Sequence, residues 1–348
     1  MRPTPSHDSV ALYFVASPLQ YLAARRIAET FEAGSRQVLV WYKPGVTPIV
    51  RAEQWDAAAY MPWPRWEPLP GWFGRLRRQK ANLHLVADLI GGCDTLHIHS
   101  AVFDTEAINY FLKALPRLCG ARTMRARILP DGIISTRRYP LSRGKRLAQY
   151  LRKLRRLVSP ELDYWCFSGD RIGSDAPFCD RIYVVPGLPH EYPAEKTVEL
   201  PPLVERKPST EKTGTGERTA LVIGQPLVGA GLMRSDDRDA VAVEIQKWLA
   251  HDGIQRVHYT GHPKDPLREL MMGGYEAITL DEPLEVHLAN TPYDAVVGVR
   301  SSALLFARQV SPPETKVMAF GWDRVRFKSE EERRSMASTF SQCGVQIL

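Results

Sequence analysis

Several signatures that would place a protein in a membrane or outside the cell are missing from this sequence of 348 residues. No uncharged apolar run approaches the ~18 residues that mark a transmembrane helix. The opening MRPTPSHDSVALYFVASPLQ begins polar and has an apolar run of only about six residues, whereas a signal peptide needs about 7 to 15. These absences predict a cytoplasmic protein without a membrane-spanning segment.

Cysteine is scarce and scattered. The five cysteines are odd in number, and no two are spaced as C-x-x-C. A disulfide framework needs paired cysteines and a zinc site needs closely spaced ones, so the sequence supports neither. We predict that all five are reduced thiols: Cys93, Cys119, Cys166, Cys179 and Cys343.

The common nucleotide and metal signatures are also missing. Neither G-x-G-x-x-G nor G-x-x-x-x-G-K-[ST] occurs, so a dinucleotide and a P-loop triphosphate are not supported. No D-x-D follows a predicted strand, which argues against a diphosphate held by a metal ion. His97 and His99 share one strand face in DTLHIHS, but no carboxylate stands near them in the sequence. We therefore predict no metal site.

Positive charge is in excess, with 46 Lys and Arg against 39 Asp and Glu, a net charge of +7. Much of it lies in GWFGRLRRQK (71–80) and RGKRLAQYLRKLRRLV (143–158). In the second segment apolar residues recur at helical spacing, with arginines on or beside the polar side, which predicts a basic amphipathic helix. The apolar residues are Leu147, Leu151, Leu154 and Val158.

Three interpretations of this helix stay open: a solvated face, contact with an acidic membrane surface, or contact with a polyanionic substrate. Nucleic acid is not expected, because no zinc-finger, RNP or helix-turn-helix pattern accompanies the charge.

The order of predicted strands and helices indicates an α/β protein with two doubly wound domains. VALYFVAS, PLQYLAARRIAETF and QVLVWYK are typical of strand, helix and strand, and this order recurs on both sides of a Pro-rich break. We predict Rossmann-like domains at 1–190 and 219–348, joined by a linker at 191–218. The loops after the strands are expected to line a cleft between them. It stays open whether the last segment packs back on the N-terminal domain.

An acidic residue is held between proline and glycine after the predicted strand RARILP. Pro130-Asp131-Gly132 is a common turn signal, because proline fixes φ and glycine supplies a positive φ. The functional interpretation is that the turn fixes the Asp131 carboxylate at the carboxyl edge of the sheet, where open α/β sheets bind ligands.

Two loops of the second domain place polar residues directly after strands. His262 in YTGHPKD is held between Gly261 and Pro263, where an imidazole can bind or protonate an oxyanion. Ser301-Ser302 begin a predicted helix whose free N–H groups favour an anion such as phosphate. The plain alternatives are a loop histidine without a function and serines that only cap the helix.

These loops, in this order, resemble those of bacterial two-Rossmann-domain (GT-B) sialyltransferases, especially the polysialyltransferase and lipooligosaccharide sialyltransferase families. Asp131-Gly132 is similar to their acidic D/E-D/E-G motif, His262-Pro263 to the HP motif, and Ser301-Ser302 to the serine/threonine motif. SPLQ (17–20) looks like their first-strand loop. Pro130 departs from the pattern, because many members carry a second acidic residue there, and this leaves Asp131 as the sole candidate base.

The resemblance implies an inverting glycosyltransferase that needs neither metal nor cofactor. It would move sialic acid or a related nonulosonic acid from its CMP ester to a glycan hydroxyl, in bacterial capsule or lipooligosaccharide synthesis. Asp131 would be the general base, and His262 would stabilise or protonate the departing phosphate. The partners implied are an anionic or lipid-linked glycan and, through the basic segments, the cytoplasmic face of the inner membrane.

The remaining candidate residues belong to the same loops. Those expected to bind the CMP donor are Gly224, Gln225, Gly261, Pro263, Glu282, Arg300, Ser301 and Ser302. Those expected to bind the acceptor or the sugar are Ser17, Gln20, His99, Ser100 and Gly132.

Two alternatives remain. The first is another GT-B enzyme: a CMP-Kdo transferase, a UDP-sugar transferase or a nucleotide-sugar epimerase. A UDP enzyme should carry an acidic residue for the ribose hydroxyls in the last strand-helix unit, where only Glu314 stands. The second is a non-catalytic polyanion-binding protein, which would leave the ordered loops unexplained.

Overall fold

The computed structural model describes residues 7–132, 136–204, 216–262 and 265–348. The chain forms two compact units. The N-terminal unit contains residues up to Pro186 together with His190–Leu203, and the C-terminal unit contains Gly187–Pro189 and Val204–Leu348.

The N-terminal unit is built on a seven-stranded parallel sheet of order β3-β2-β1-β4-β5-β6-β7. Its strands are β1 (His7–Val15), β2 (Arg36–Trp41), β3 (Ala57–Tyr60), β4 (Cys93–Ser100), β5 (Thr123–Ile128), β6 (Cys179–Val184) and β7 (Thr197–Glu199). Its helices are α1 (Pro18–Thr30), α2 (Gly74–Ile90), α3 (Glu106–Asn109), α4 (Phe111–Leu118) and α5 (Arg143–Lys153).

The C-terminal unit is built on a six-stranded parallel sheet of order β10-β9-β8-β11-β12-β13. Its strands are β8 (Thr219–Ile223), β9 (Arg256–Thr260), β10 (Glu276–Ile278), β11 (Ala295–Gly298), β12 (Lys316–Ala319) and β13 (Gln346–Ile347). Its helices are α6 (Ser235–His251), α7 (Leu284–Asn290), α8 (Ala303–Val310) and α9 (Glu330–Gln342).

The predicted α/β class with two doubly wound sheets is confirmed. Strands covered by helices on both faces are apolar along their whole length, and the run from Val10 to Val15 is completely buried. The helix that follows begins where Ser17 caps it, with proline at its first position. Both features could be seen in the sequence, which explains why this β-α unit was predicted within two or three residues.

The predicted linker needs a correction. Within 191–218, the strand β7 pairs with β6: Thr197 lies opposite Ile182, and Glu199 lies opposite Val184. The chain up to Leu203 therefore belongs to the N-terminal unit. Pro and Glu make an edge strand of this kind look like a linker. The end of the chain belongs to the C-terminal unit, where β13 pairs with β12 at the edge of the sheet. Residues 266–274, between β9 and β10, form turns and irregular chain.

A buried polar cluster lies on one face of the N-terminal sheet. Glu32 is 3% exposed, lies 2.8 Å from Nδ1 of His97, and pairs with the guanidinium of Arg127. Arg127 also donates from Nε and an NH₂ group to both carboxylate oxygens of Asp180, each at 3.1 Å. Glu32 is the carboxylate partner of His97 that the sequence did not reveal, because it lies 65 residues away along the chain.

No group of three or more metal-binding side chains is found in the described part of the chain. Among the same residues, no helix is long and apolar enough to cross a bilayer.

Replacing Glu32 by alanine should lower the free energy of unfolding by about 3 kcal/mol, because it leaves a buried guanidinium with one carboxylate fewer. Glu29 is the matched control: its side chain is 52% exposed and its ion pairs are 3.6 Å long, so its replacement should cost no more than about 0.5 kcal/mol. Urea unfolding measures both. Equal losses would show that the buried cluster contributes nothing special.

Candidate functional site

The candidate residues of the N-terminal unit follow neighbouring strands. Ser17 follows β1, Ser100 ends β4, and Asp131 follows β5, three strands that are adjacent in the sheet. The chain leaves β1 toward β2 on one side and returns at β4 on the other, so β1 and β4 flank the point where the strand order reverses. Open α/β sheets bind ligands at the carboxyl edge beside this point.

Asp131 is half-buried at this edge, and Gly132 behind it has a φ of +56°. Burial raises the pKa of the Asp131 carboxyl group above its ordinary value, while a hydrogen bond from Gln20 and the charge of Lys43 lower it in part. Burial and the nearby charge of Asp131 likewise raise the pKa of Tyr42. The carboxylate therefore stands among a polar amide, a cation and a half-buried phenol, in surroundings that raise its pKa.

Gln20 supports Asp131 through a side-chain hydrogen bond. Its side chain lies in the first turn of α1 and is 2% exposed, and its Oε1 accepts from the N–H of Ala16 at 2.7 Å. With its oxygen used in this way, the amide nitrogen is the end that donates to Asp131. Sequence reasoning expected Gln20 to bind the acceptor, whereas its contacts make it a support for the carboxylate. The nearby Lys43 and Tyr42 were missed, because nothing in the pattern brings β2 toward the loop after β5.

His99 does not lie at the sheet edge, contrary to expectation. Its ring is fully buried, stacks on Tyr13 with ring centroids 4.4 Å apart, and has Nδ1 3.2 Å from the carbonyl of Leu12. Burial and the neighbouring His97 lower the pKa of His99 to about 3, so it is a neutral core residue. An acceptor at the surface cannot reach it.

The two serines of this edge differ in access. Ser17 is half-buried, and its hydroxyl accepts from the N–H of Gln20 at 3.3 Å as the cap of α1. Ser100 is 1% exposed, and its hydroxyl points to the carbonyl of Val102 at 3.5 Å. Of the two, only Ser17 has a hydroxyl open to a ligand.

The candidate donor residues of the C-terminal unit also follow adjacent strands. Gly224-Gln225 follow β8, Gly261-His262 follow β9, and Arg300-Ser301-Ser302 follow β11. Oε1 of Gln225 accepts from the backbone N–H of Arg300 at 3.0 Å, which ties the loops after β8 and β11 across the point of strand reversal. Gln225 is thus a link between the two loops. Pro263 lies outside the described residues.

Arg300 was expected to add positive charge to an anion site, but its guanidinium is turned toward the C-terminal segment. It stacks on Phe327 at 4.8 Å, lies 3.4 Å from Glu332, and donates to the carbonyl of Arg326 at 3.3 Å. With its side chain 14% exposed and these partners in place, Arg300 positions the loop rather than presenting charge.

The start of α8 is the stronger anion candidate. Ser301 accepts from the N–H of Ala303 at 3.3 Å, and its backbone carbonyl accepts from Leu304 at 3.1 Å. Both Ser301 and Ser302 are half-buried and precede a helix of eight residues, whose dipole favours a negative group at this end.

The backbone around His262 is fixed by residues on either side. His262 is exposed, and its carbonyl accepts from the N–H of Asp265 at 2.8 Å. The Asp265 carboxylate, 4% exposed, accepts from the hydroxyl of Tyr259 at 3.2 Å and from the N–H of Glu269. The imidazole therefore stands on a braced turn and remains open to solvent.

Glu269, like Lys43 and Tyr42, could not be singled out from the sequence. It is 6% exposed, and its carboxylate accepts from the N–H groups of Val228 at 2.7 Å and Gly229 at 3.0 Å, which shapes the loop after β8. Glu282, a candidate donor contact, follows the edge strand β10, and its carboxylate lies 3.9 Å from Nδ1 of His287. The acid thus has a partner inside its own unit.

Comparison with known proteins agrees with this architecture. Residues 185–319 match the family model described as alpha-2,8-polysialyltransferase. No curated protein sequence matches the chain. The chain has the GT-B fold, and the part of it that matches this glycosyltransferase family model is less than half of its length.

Among solved structures, three relatives illustrate the fold. The UDP-GlcNAc 2-epimerase of Neisseria meningitidis bound to UDP-GlcNAc is 9% identical, with a TM-score of 0.52 over 97% of this chain and 86% of the other. The glycosyltransferase SnogD from Streptomyces nogalater is 12% identical, with a TM-score of 0.50 over 98% and 87%. The glycotransferase of kitacinnamycin is 10% identical, with a TM-score of 0.50 over 100% and 86%. Identities this low establish the fold alone.

Replacing Gly224 by alanine should destabilise the C-terminal unit by about 1 to 3 kcal/mol, as overpacking does. A Cβ there would lie 2.3 Å from the hydroxyl of Tyr259 and 3.0 Å from the carbonyl of Thr260. Gly273→Ala is the matched control, because a Cβ at that position meets nothing within 4 Å. Urea unfolding compares the two variants, and a Gly224→Ala protein as stable as the control would contradict the close approach.

Proposed function

We propose that this protein transfers sialic acid or a related nonulosonic acid from its CMP ester to a glycan hydroxyl, with inversion and without a metal ion or other cofactor. The observation that carries the proposal is the half-buried carboxylate of Asp131, whose pKa is raised by burial at the carboxyl edge of β5. The match of residues 185–319 to the polysialyltransferase model supports the donor class.

In the proposed reaction Asp131 is the general base. As the acceptor oxygen forms its bond to the anomeric carbon, its proton passes to the Asp131 carboxylate. The bond from that carbon to the CMP phosphate breaks at the same time, and its electron pair leaves with the phosphate oxygen. A base works best with a pKa close to the working pH, and burial moves Asp131 in that direction.

The leaving phosphate is assigned to the C-terminal unit. The hydroxyls of Ser301 and Ser302 and the positive end of the α8 dipole can attract the phosphate oxygens, and His262 can stabilise or protonate the departing group. CMP carries a single phosphate, so one helix start and one imidazole can take the role that a metal ion has for a diphosphate. Gln225 and Arg300 would hold these loops in place through their mutual bond.

The proposed acceptor is an anionic or lipid-linked glycan of a bacterial surface polysaccharide or lipooligosaccharide, handled on the cytoplasmic side. Its negative charge would be attracted by a chain with a net charge of +7.

A UDP-sugar enzyme is less well supported by the same unit. Glu314, the acid that could bind ribose hydroxyls, is exposed and lies between the end of α8 and the start of β12. This is the amino edge of the sheet, opposite the edge that carries Ser301 and His262. A carboxylate there cannot reach a nucleotide bound at the start of α8.

Asp131→Asn should lower transfer by several orders of magnitude and leave CMP binding unchanged, because only the proton acceptor is lost. His262→Ala should weaken CMP binding and slow transfer. Calorimetry with CMP and UDP, and product mass from a panel of CMP-sugars, measure the two effects. Near-normal turnover of Asp131→Asn would show that the Pro-Asp-Gly sequence is only a turn and that Asp131 is not the base. If the chain bound no nucleotide at all, a polyanion-binding protein would be favoured.

The acid limb of the transfer rate should shift to higher pH in Lys43→Met. Asp131 must be ionised to act as a base, and the charge of Lys43 lowers its pKa, so removal of that charge raises the pKa and the base is lost at a higher pH. Added salt should shrink the difference, because Lys43 is exposed. Arg122→Met, at a side chain that is 86% exposed and pairs with Asp94, is the control. If the acid limb moved equally in both variants, the charge of Lys43 would have no specific effect on the pKa of Asp131.

A further inference from the structure

The N-terminal unit exposes an apolar row where a helix at the surface should be polar. Along α5 and the short 3-10 helix Leu154–Leu157 that extends it, six large apolar side chains are between 56% and 85% exposed. Spacings of three and four residues place them on one helix face. This apolar row consists of Leu147, Tyr150, Leu151, Leu154, Leu157 and Val158.

The polar side of the same helix faces the protein. Gln149 is 1% exposed and donates to Asp104 at 2.9 Å, while Arg152 and Arg155 both pair with Glu106. The sequence pattern left open whether the basic side of this helix meets solvent, an acidic membrane surface or a polyanionic substrate. In the structure the contacts of Arg152 and Arg155 with Glu106 turn these arginines toward the protein, so the apolar row is held outward.

A second apolar projection lies in the loop before α2. Trp72 is 89% exposed and Phe73 is 73% exposed. Phe73 has a φ of +57°, which is unusual for a bulky residue, and the loop is closed by a bond from the N–H of Leu69 to the carbonyl of Gly74 at 3.2 Å. Arg77 donates to the carbonyl of Pro70 at 3.0 Å. The two rings are thus presented by a structured loop.

The short helix after the apolar row lies beside α2, the helix that follows the Trp72 loop, within the same unit. Glu161, in the short helix that follows the apolar row, lies 3.6 Å from Nζ of Lys80 and 2.9 Å from Nε2 of His84, both on α2. The loop that carries Trp72 leads directly into that helix.

The charge beside the apolar row is of one sign. Every charged residue from 143 to 158 is basic, seven in all, and Arg143, Lys145 and Arg156 are exposed. A second copy of the chain on this row would bring these charges together. Exposed apolar side chains bordered by arginine and lysine, with a tryptophan nearby, instead match a lipid surface with anionic headgroups.

We propose that the apolar row, together with Trp72 and Phe73, inserts into the headgroup region of a bilayer that contains anionic phospholipid, while the exposed basic residues meet the headgroup phosphates. This inference concerns the N-terminal unit alone and does not depend on the proposed transfer reaction.

Vesicle flotation of the full chain tests it, with phosphatidylcholine alone and with phosphatidylcholine containing about a third phosphatidylglycerol. The wild-type chain should float with the anionic vesicles. The triple variant Leu147→Gln/Leu151→Gln/Leu157→Gln should bind them at least about tenfold more weakly, because it removes apolar contacts. The double variant Lys145→Glu/Arg156→Glu should lose binding through charge. Arg152 and Arg155 are unsuitable for charge reversal, because their pairs with Glu106 hold the helix.

Leu267→Gln is the matched control: this leucine is 82% exposed and lies in the C-terminal unit. It should bind vesicles as the wild type does. Far-UV circular dichroism and thermal melting check that the triple variant is folded, and turnover of a water-soluble acceptor should be the same in all of these proteins. Unchanged flotation of the triple variant, or equal binding to neutral vesicles, would overturn the proposal. The proposal would also be overturned if the wild-type chain formed a dimer and did not bind vesicles, while the triple variant formed no dimer.

Discussion

Parallel pairing is the constraint on which the rest of this protein depends. Because the strands of each sheet run in one direction, their carboxyl ends meet at one edge, and residues far apart in sequence become neighbours there. Ser17 and Asp131 come together in this way in the N-terminal unit, and Gln225, His262 and Arg300 in the C-terminal one. The bond from Arg300 to Gln225 joins residues 75 positions apart.

Much of the polar chemistry at these edges supports other groups instead of meeting a ligand. The side-chain oxygen of Gln20 accepts from the N–H of Ala16, and its amide nitrogen donates to Asp131. The guanidinium of Arg300 donates to the C-terminal segment at the carbonyl of Arg326. Buried polar atoms need partners, and the partners they find fix their neighbours in place. The result is one half-buried carboxylate that Gln20 supports and one exposed imidazole whose backbone is bonded to Asp265.

The orientation of α5 follows from the same rule. Its arginines have acidic and phenolic partners on the protein side, and satisfying those charges leaves the leucines outside. Amphipathic spacing in a sequence says that a helix has two faces, but it does not say which face turns inward. Here the acidic and phenolic partners of the arginines determine which face turns inward. The apolar face, which could have packed in a core, is therefore exposed at the surface.

Taken by itself, the sequence determined the fold class, most strand and helix positions and the loops that follow the strands, because apolar runs, caps and turn residues act locally. It also singled out Asp131 and His262. Only the tertiary structure decided which polar residues reach a ligand: His99 lies in the core, Gln20 supports Asp131, and Lys43 and Tyr42 stand near that carboxylate. Burial, and the contacts between residues distant in sequence that set a pKa, exist only once the sheets have formed.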